Sequence, residues 1–171
     1  MRDVVKLVGD LMTISARTAP KGKGQDFIEI KIIDGEDLER MADEMFKYGE
    51  ETGKENYDRD ADNIRNSDAV FLISLNEAKA LGLNCGACGF PKCSELTIKE
   101  GPEFDGGICA WRLVDLGIAL GSAVKTAGIL NVDNRIMYRV GVIAKRLGLI
   151  KGEIVIGVPL SATGKNIYFD R

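Results

Sequence analysis

The chain of 171 residues contains no histidine. That absence removes the commonest general base, the Ser-His-Asp and Cys-His nucleophile systems, and every imidazole-ligated metal site. Chemistry here falls to thiolates, carboxylates, lysines or a bound cofactor. A basic surplus is missing too: 23 Lys and Arg against 26 Asp and Glu leave a net charge of -3. The cations are scattered without a run, which argues against nucleic acid as a partner. No apolar stretch approaches the roughly 20 residues of a membrane span. The N-terminus MRDVVKLVGDLMTIS is punctuated by charge and has neither a signal-peptide core nor a cleavage site. The expectation is a cytoplasmic protein with no membrane partner. With 45% hydrophobic and 29% charged residues, the chain has the balance of a folded protein, and its length suits one domain over residues 1–171.

Apolar periodicity predicts a helix over residues 3–15, ended by the loop ARTAPKGKG. A β-branched strand follows at 27–33, and Asp34 is placed to cap a helix reaching Tyr48. Residues 50–68 are polar and read as a surface excursion. The run AVFLISL at 69–75 predicts a central strand buried on both faces. Residues 109–127 are apolar almost all round and predict a buried helix, with Gly117 and Gly121 on one face. A helix at 135–147 behind Asn134, a strand at 153–158 and a short terminal strand at 166–169 complete an α+β fold with a small mixed sheet flanked by helices.

Cysteine is scarce, and its placement is not even. The only four are Cys85, Cys88, Cys93 and Cys109, in the pattern C-x2-C-x4-C-x15-C. Two cysteines separated by two residues reach one metal centre, and a third at x4 closes round it if the loop is tight. Gly86, Ala87 and Gly89 let backbone N–H groups approach the sulfurs. The anionic charge of a thiolate cluster also suits helix N-termini, and Cys93 and Cys109 each stand where a helix is expected to open. A structural zinc site is the rival, but its usual signature is two C-x2-C knuckles and the second half offers only Cys109. Disulfides need an oxidising compartment. The residues favour an iron-sulfur cluster; the alternative is a structural zinc-binding or interaction module, with zinc or the cluster merely stapling the loop.

CGACGFPKC with Cys109 resembles the four-cysteine iron-sulfur domain of corrinoid iron-sulfur proteins and of a ferredoxin-like subunit of membrane electron-transport complexes. The resemblance implies a [4Fe-4S] cluster on Cys85, Cys88, Cys93 and Cys109, carried by an insertion at residues 85–109. The order helix, ARTAP loop, strand, helix, apolar strand, then DLGIALGSAVKTAGIL and EIVIGVPL is similar to the flavin-dependent nitroreductase fold. With NRIMYRVG and SATGKNIYFDR, the whole chain resembles a family of uncharacterised proteins containing a ferredoxin domain. The nitroreductase resemblance implies a homodimer binding FMN, with Arg17 at the flavin phosphate and Lys165 or Arg171 as basic contacts. Electron transfer to a redox partner protein or a small-molecule donor or acceptor is the implied function, and a flavin-dependent oxidoreductase with the cluster as relay is the alternative.

Other features have plainer explanations. Lys21-Gly22-Lys23-Gly24 suits a bound phosphate by charge and exposed N–H groups, or simply a solvated loop. Trp111 and Phe90 flank the cysteines and would exclude water from a centre, although a core position is the expectation for Trp111. Arg112 and Asp115 are spaced to pair on one helix face. Asp133, Asn134, Arg135, Tyr138 and Arg139 are accounted for by capping at a helix start. SATGKN lacks the spacing of a nucleotide-binding loop.

Overall fold

The computed structural model describes residues 1–169; Arg171 lies outside them. The elements run α1 (Arg2–Thr18), β1 (Ile28–Ile33), α2 (Glu36–Thr52), α3 (Tyr57–Arg65), β2 (Ala69–Leu75), α4 (Ala110–Ile129), β3 (Asp133–Asn134), α5 (Tyr138–Arg146) and β4 (Ile154–Ser161). The sheet has the order β1-β2-β4-β3 and every pairing is antiparallel. The α+β class is as the sequence implied, with an antiparallel sheet where a mixed one was expected.

β2 explains the layering. All seven of its residues are buried, and their side chains alternate between two cores as strand geometry requires. Phe71, Ile73 and Leu75 join Val5, Val8, Met12, Leu116, Ala119 and Ala123 beneath α1 and α4. Val70 and Leu72 join Met41, Met45, Ile64, Val140 and Ile143 beneath α2, α3 and α5. The molecule is therefore a three-layer sandwich with its sheet covered on both faces. Two glycines let α5 lie close on the sheet: a methyl at Gly141 would overlap the Val155 carbonyl, and one at Gly157 would overlap Val140.

Several local expectations give way to tertiary packing. α2 has Gly35 at its N-cap with no side-chain cap, so Asp34 does not cap it. Glu36, Asp37 and Glu39 meet its positive end instead. Residues 50–68 are not a surface excursion. They hold the end of α2 and all of α3, which buries Tyr57, Asp60, Ala61 and Ile64. Asp60 disguised that helical stripe, being a charged residue that is buried against Arg59 and Arg139. Asn134 belongs to β3, and α5 starts later, with Met137 at its N-cap. Residues 166–169 form no strand; Tyr168 instead buries its ring and shares a 2.8 Å hydrogen bond with Ser67.

α4 departs furthest. It was expected to be buried all round, yet Trp111, Leu113, Val114, Ile118 and Ile129 are exposed, as are Gly117 and Gly121. On the adjoining α1 the exposed residues Val4, Leu7, Leu11 and Ile14 fall at helical spacing. One side of the sandwich thus carries a broad uncovered apolar face.

Gly141→Ala should destabilise the protein by about 3 kcal/mol, because α5 must lift from β4 or the strand must shift. Urea unfolding of the variant and the parent protein measures the difference.

Candidate metal centre

β2 ends at Leu75 and α4 starts at Ala110, and the intervening residues 76–109 contain no helix or strand beyond a three-residue 3-10 turn at Cys93–Glu95. Long irregular segments without structure of their own are commonly functional, and this one is pinned at both legs. On the outgoing leg, the Asn76 N–H donates to Phe27 O at 3.0 Å. Lys23 Nζ donates to Leu81 O at 2.6 Å. On the return leg, Lys99 and Gly106 pair as an isolated bridge. The Asp105 N–H donates to Glu153 O at 3.1 Å, and Lys145 Nζ lies 2.8 Å from the Asp105 carboxylate.

Between the legs the chain turns tightly. Asn84, Gly86 and Gly89 all have positive φ, and Gly89 N–H closes a turn onto Gly86 O at 2.9 Å. Glycine is favoured at the last two positions because left-handed backbone carries no Cβ penalty there. Cys85 and Cys88 are thereby turned toward one narrow cavity, which Cys93 and Cys109 also line, together with Leu81, Leu83, Ala87, Phe90 and Trp111. The four predicted ligand positions therefore meet at one place. The cavity is only about 10 Å³, and the loop round it has no ladder to resist widening. Among the described residues, no three His, Cys, Asp or Glu side chains converge as on a single ion.

The donor set fits a thiolate-ligated cluster in kind. All four cysteines are free thiols, graded from exposed Cys85 to buried Cys109. Cys109 is the N-cap of the 20-residue α4, so the positive end of the longest helix faces the cavity. The Asn84 N–H donates to Cys93 Sγ at 3.3 Å, and the Cys93 N–H returns a bond to Asn84 Oδ1 at 2.8 Å. Trp111 Nε1 donates to Cys85 Sγ at 3.4 Å. The Ala87 N–H and then this indole hold the Cys85 thiol below its usual range. Trp111 is thus not a core residue, since its ring is half-exposed at the cavity rim. Cys93 opens only a 3-10 turn, so the second helix dipole expected there is absent.

Arg112 holds the framework together. Its side chain is fully buried. It donates to Lys79 O at 2.8 Å on the outgoing leg, to Gly22 O at 3.0 Å and Gln25 Oε1 at 2.5 Å in the glycine-lysine loop, and to Asp115 Oδ2 at 3.0 Å. Asp115 in turn accepts the Gly22 N–H at 2.8 Å, and the guanidinium stacks 4.8 Å from the Phe27 ring. The predicted Arg112–Asp115 pair exists, and it clamps three segments that no sequence spacing connects.

That clamp decides what the glycine-lysine loop does within the chain. Lys21 Nζ donates to the carbonyls of Ala16, Arg17 and Ala19, closing the end of α1, and Lys23 serves Leu81. The Arg17 guanidinium bonds Asp26 at 2.8 Å and Ile28 O at 2.7 Å. Lys165 is exposed beyond the end of β4, beside Asp62, Asn66 and Thr163. Arg17 and Lys165 stand at opposite ends of the sheet, since β1 enters opposite Leu75 whereas β4 leaves opposite Ala69.

Glu103 went unremarked in the sequence. It sits on the return leg with its side chain 8% exposed. It accepts from Tyr48 OH at 2.9 Å, Lys54 Nζ at 2.5 Å, Tyr57 OH at 3.2 Å, and Tyr138 OH. Three of the chain's four tyrosines converge on it from α2, α3 and α5. Burial disfavours its ionisation, but Lys54 and the two phenols of Tyr48 and Tyr57 outweigh this and hold its carboxyl below the usual range. An open groove of about 520 Å³ lies alongside, between residues 98–105 and α5, yet its cations Lys145 and Arg146 are already paired with Asp105 and with Glu44 and Glu51.

A family model described as "uncharacterized protein containing a ferredoxin domain" matches residues 105–171. An "uncharacterized protein" of Archaeoglobus fulgidus is 50% identical over 169 residues, covering 98% of this chain and 91% of that protein. The chain belongs to this ferredoxin-domain family. The matched region contains Cys109 and lies downstream of the other three cysteines. Among solved structures, a nitroreductase with bound FMN from Desulfitobacterium hafniense superposes with a TM-score of 0.57 at 14% identity, over 93% of this chain and 78% of that one. An FMN-dependent nitroreductase of Clostridium difficile gives 0.56 at 13%, over 94% and 83%. Nitroreductase A of Vibrio parahaemolyticus gives 0.56 at 12%, over 94% of this chain but only 60% of its own. The fold is that of the nitroreductases, as the sequence resemblance implied.

Glu103→Gln should cost about 2 kcal/mol at neutral pH, because the phenols and Lys54 lose a charged acceptor. The carboxyl is easier to ionise in the folded state, so its stabilisation is fully present above the unfolded value near pH 4.5 and disappears as pH falls through the folded value. Urea unfolding at pH 7 and at successively lower pH should show the gap between variant and parent closing in acid.

Proposed function

We propose that the protein binds one [4Fe-4S] cluster through Cys85, Cys88, Cys93 and Cys109 and passes single electrons between a donor and an acceptor, either a redox protein or a small molecule. The observation that carries this reading is the meeting of all four cysteines at one largely apolar cavity at the N-terminus of α4. The ferredoxin-domain family supports it. Bound there, such a cluster accepts and releases one electron at a time.

The chain's own residues supply the setting. The amides of Asn84 and Ala87 and the indole of Trp111 offer N–H groups to thiolate sulfur, and the positive end of α4 favours added negative charge. Leu81, Leu83 and Phe90 exclude water. Arg112 and Glu103 fix the two legs of the loop that carries the cysteines. Free thiols in all four positions suit a reducing compartment such as the cytoplasm; no described helix is long and apolar enough to cross a membrane.

A second reading, a flavin-dependent oxidoreductase with the cluster as relay, draws on the fold shared with FMN-bound nitroreductases. It calls for a homodimer, because Arg17 and Lys165 stand at opposite ends of the sheet within one chain and a second copy would have to bring them to one flavin. The apolar outer face of α1 and α4 is suited to that copy: Val4, Leu7, Leu11 and Ile14 on α1 and Val114 and Ile118 on α4 are exposed, and the bare Gly117 and Gly121 allow close helix approach.

Anaerobically prepared protein should be brown and carry about four irons per chain, the content of one such cluster. Cys109→Ser should lose both colour and iron. A colourless protein holding one zinc would instead make the site a structural staple. Titration with FMN separates the two redox readings, since absence of binding removes the flavin. Light scattering should give about twice the 18.6 kDa of one chain. The pair Leu7→Asp and Ile118→Asp should return the mass to one chain while changing stability little, as both side chains are exposed.

A further inference from the structure

Trp111 is the only tryptophan in the chain and the second residue of α4. An aromatic ring left 44% exposed gains less from burial than a core residue would. Its placement is nevertheless defined. The next residue, Arg112, is locked by four acceptors, so the first turn of α4 has little freedom and the indole is held over the cysteine cavity. There its Nε1–H points at Cys85 Sγ, 3.4 Å away. Cys85 is the most exposed of the four cysteines, so without this ring its sulfur faces water.

Resting on the cluster reading above, we propose that Trp111 is a positioning residue that sets the electron affinity of the cysteine-bound centre through its indole N–H on the Cys85 thiolate. A one-electron donor, dithionite in a titration, adds one electron and one negative charge to the centre, with no bond formed or broken. The ligating sulfurs share that added charge. A donor aimed at one of them stabilises the reduced form more than the oxidised form and raises the potential. The Asn84 N–H acts in the same sense on Cys93, but it belongs to the backbone. The Trp111 donor belongs to a side chain and can be removed alone: Trp111→Phe keeps an aromatic ring and deletes the N–H. Phe90, on the same cavity wall, supplies apolar bulk without a donor and serves as the control.

The experiment reconstitutes the parent protein, Trp111→Phe and Phe90→Leu anaerobically and titrates each with dithionite while following the visible spectrum. Trp111→Phe should retain iron and colour. At the parent midpoint its reduced-to-oxidised ratio should fall about tenfold, a shift of about 59 mV to lower potential for one electron. Phe90→Leu should shift less. A brown Trp111→Phe protein with an unchanged midpoint overturns the proposal alone, and so does an equal shift in Phe90→Leu, which would assign the effect to bulk. A parent protein that binds no iron overturns the cluster reading and this inference together. If Trp111→Phe loads no iron where the parent does, the role is structural and the proposal fails. The contact has its own readout in the iron-free protein, where a single indole N–H resonance reports Trp111. Cys85→Ser should move that resonance and Cys88→Ser should leave it in place, and the reverse pattern would refute the hydrogen bond.

Discussion

A guanidinium without exposed surface must be surrounded by acceptors, because an unpaired buried charge costs several kcal/mol. Arg112 meets that demand by drawing together the start of the cysteine loop at Lys79, the glycine-lysine turn at Gly22 and Gln25, and Asp115 on its own helix. The four acceptors come from three parts of the chain, so satisfying one ion fixes the entrance to the loop, the exit from α1 and the first turn of α4 in one arrangement. Cys109 and Trp111 closely precede Arg112 in sequence, and their placement follows from that lock.

The loop's other leg depends on a second charge of opposite sign. Glu103 is held by phenols from α2, α3 and α5, while Arg112 answers to the layer of α1 and α4. The irregular segment between β2 and α4 is thus strung between the two helical layers of the sandwich, anchored in each by one ion. A cysteine loop with no ladder of its own can be orderly on those terms. It keeps freedom to widen around the four sulfurs, because both anchors lie outside the turns that carry Cys85, Cys88 and Cys93.

Much of the fold could be read from the chain. The seven apolar residues of β2 announced a strand covered on both faces, and α1 and β1 followed their periodicities. The cysteines were legible as a set because spacing is a local property. Misreadings came where a residue's surroundings outweighed its type. Asp60 looked like surface and is buried beside two arginines. Trp111 looked like core and stands at a rim. The apolar circumference of α4 was taken for burial, yet one side of that helix is uncovered in a single copy of the chain.

By itself, the sequence determined that any ligand set would be four clustered cysteines without a histidine, and the layered α+β class, through the periodicity of its apolar residues. Both are set by residue identity and near-neighbour spacing. Only the tertiary structure decided that the Arg112 and Asp115 pair would clamp the Gly22 turn, that Glu103 would gather three tyrosines, and that the indole of Trp111 would face Cys85. These contacts join residues tens of positions apart. Their energies depend on burial and on which acceptors the folded layers bring within about 3 Å, and no local pattern encodes that.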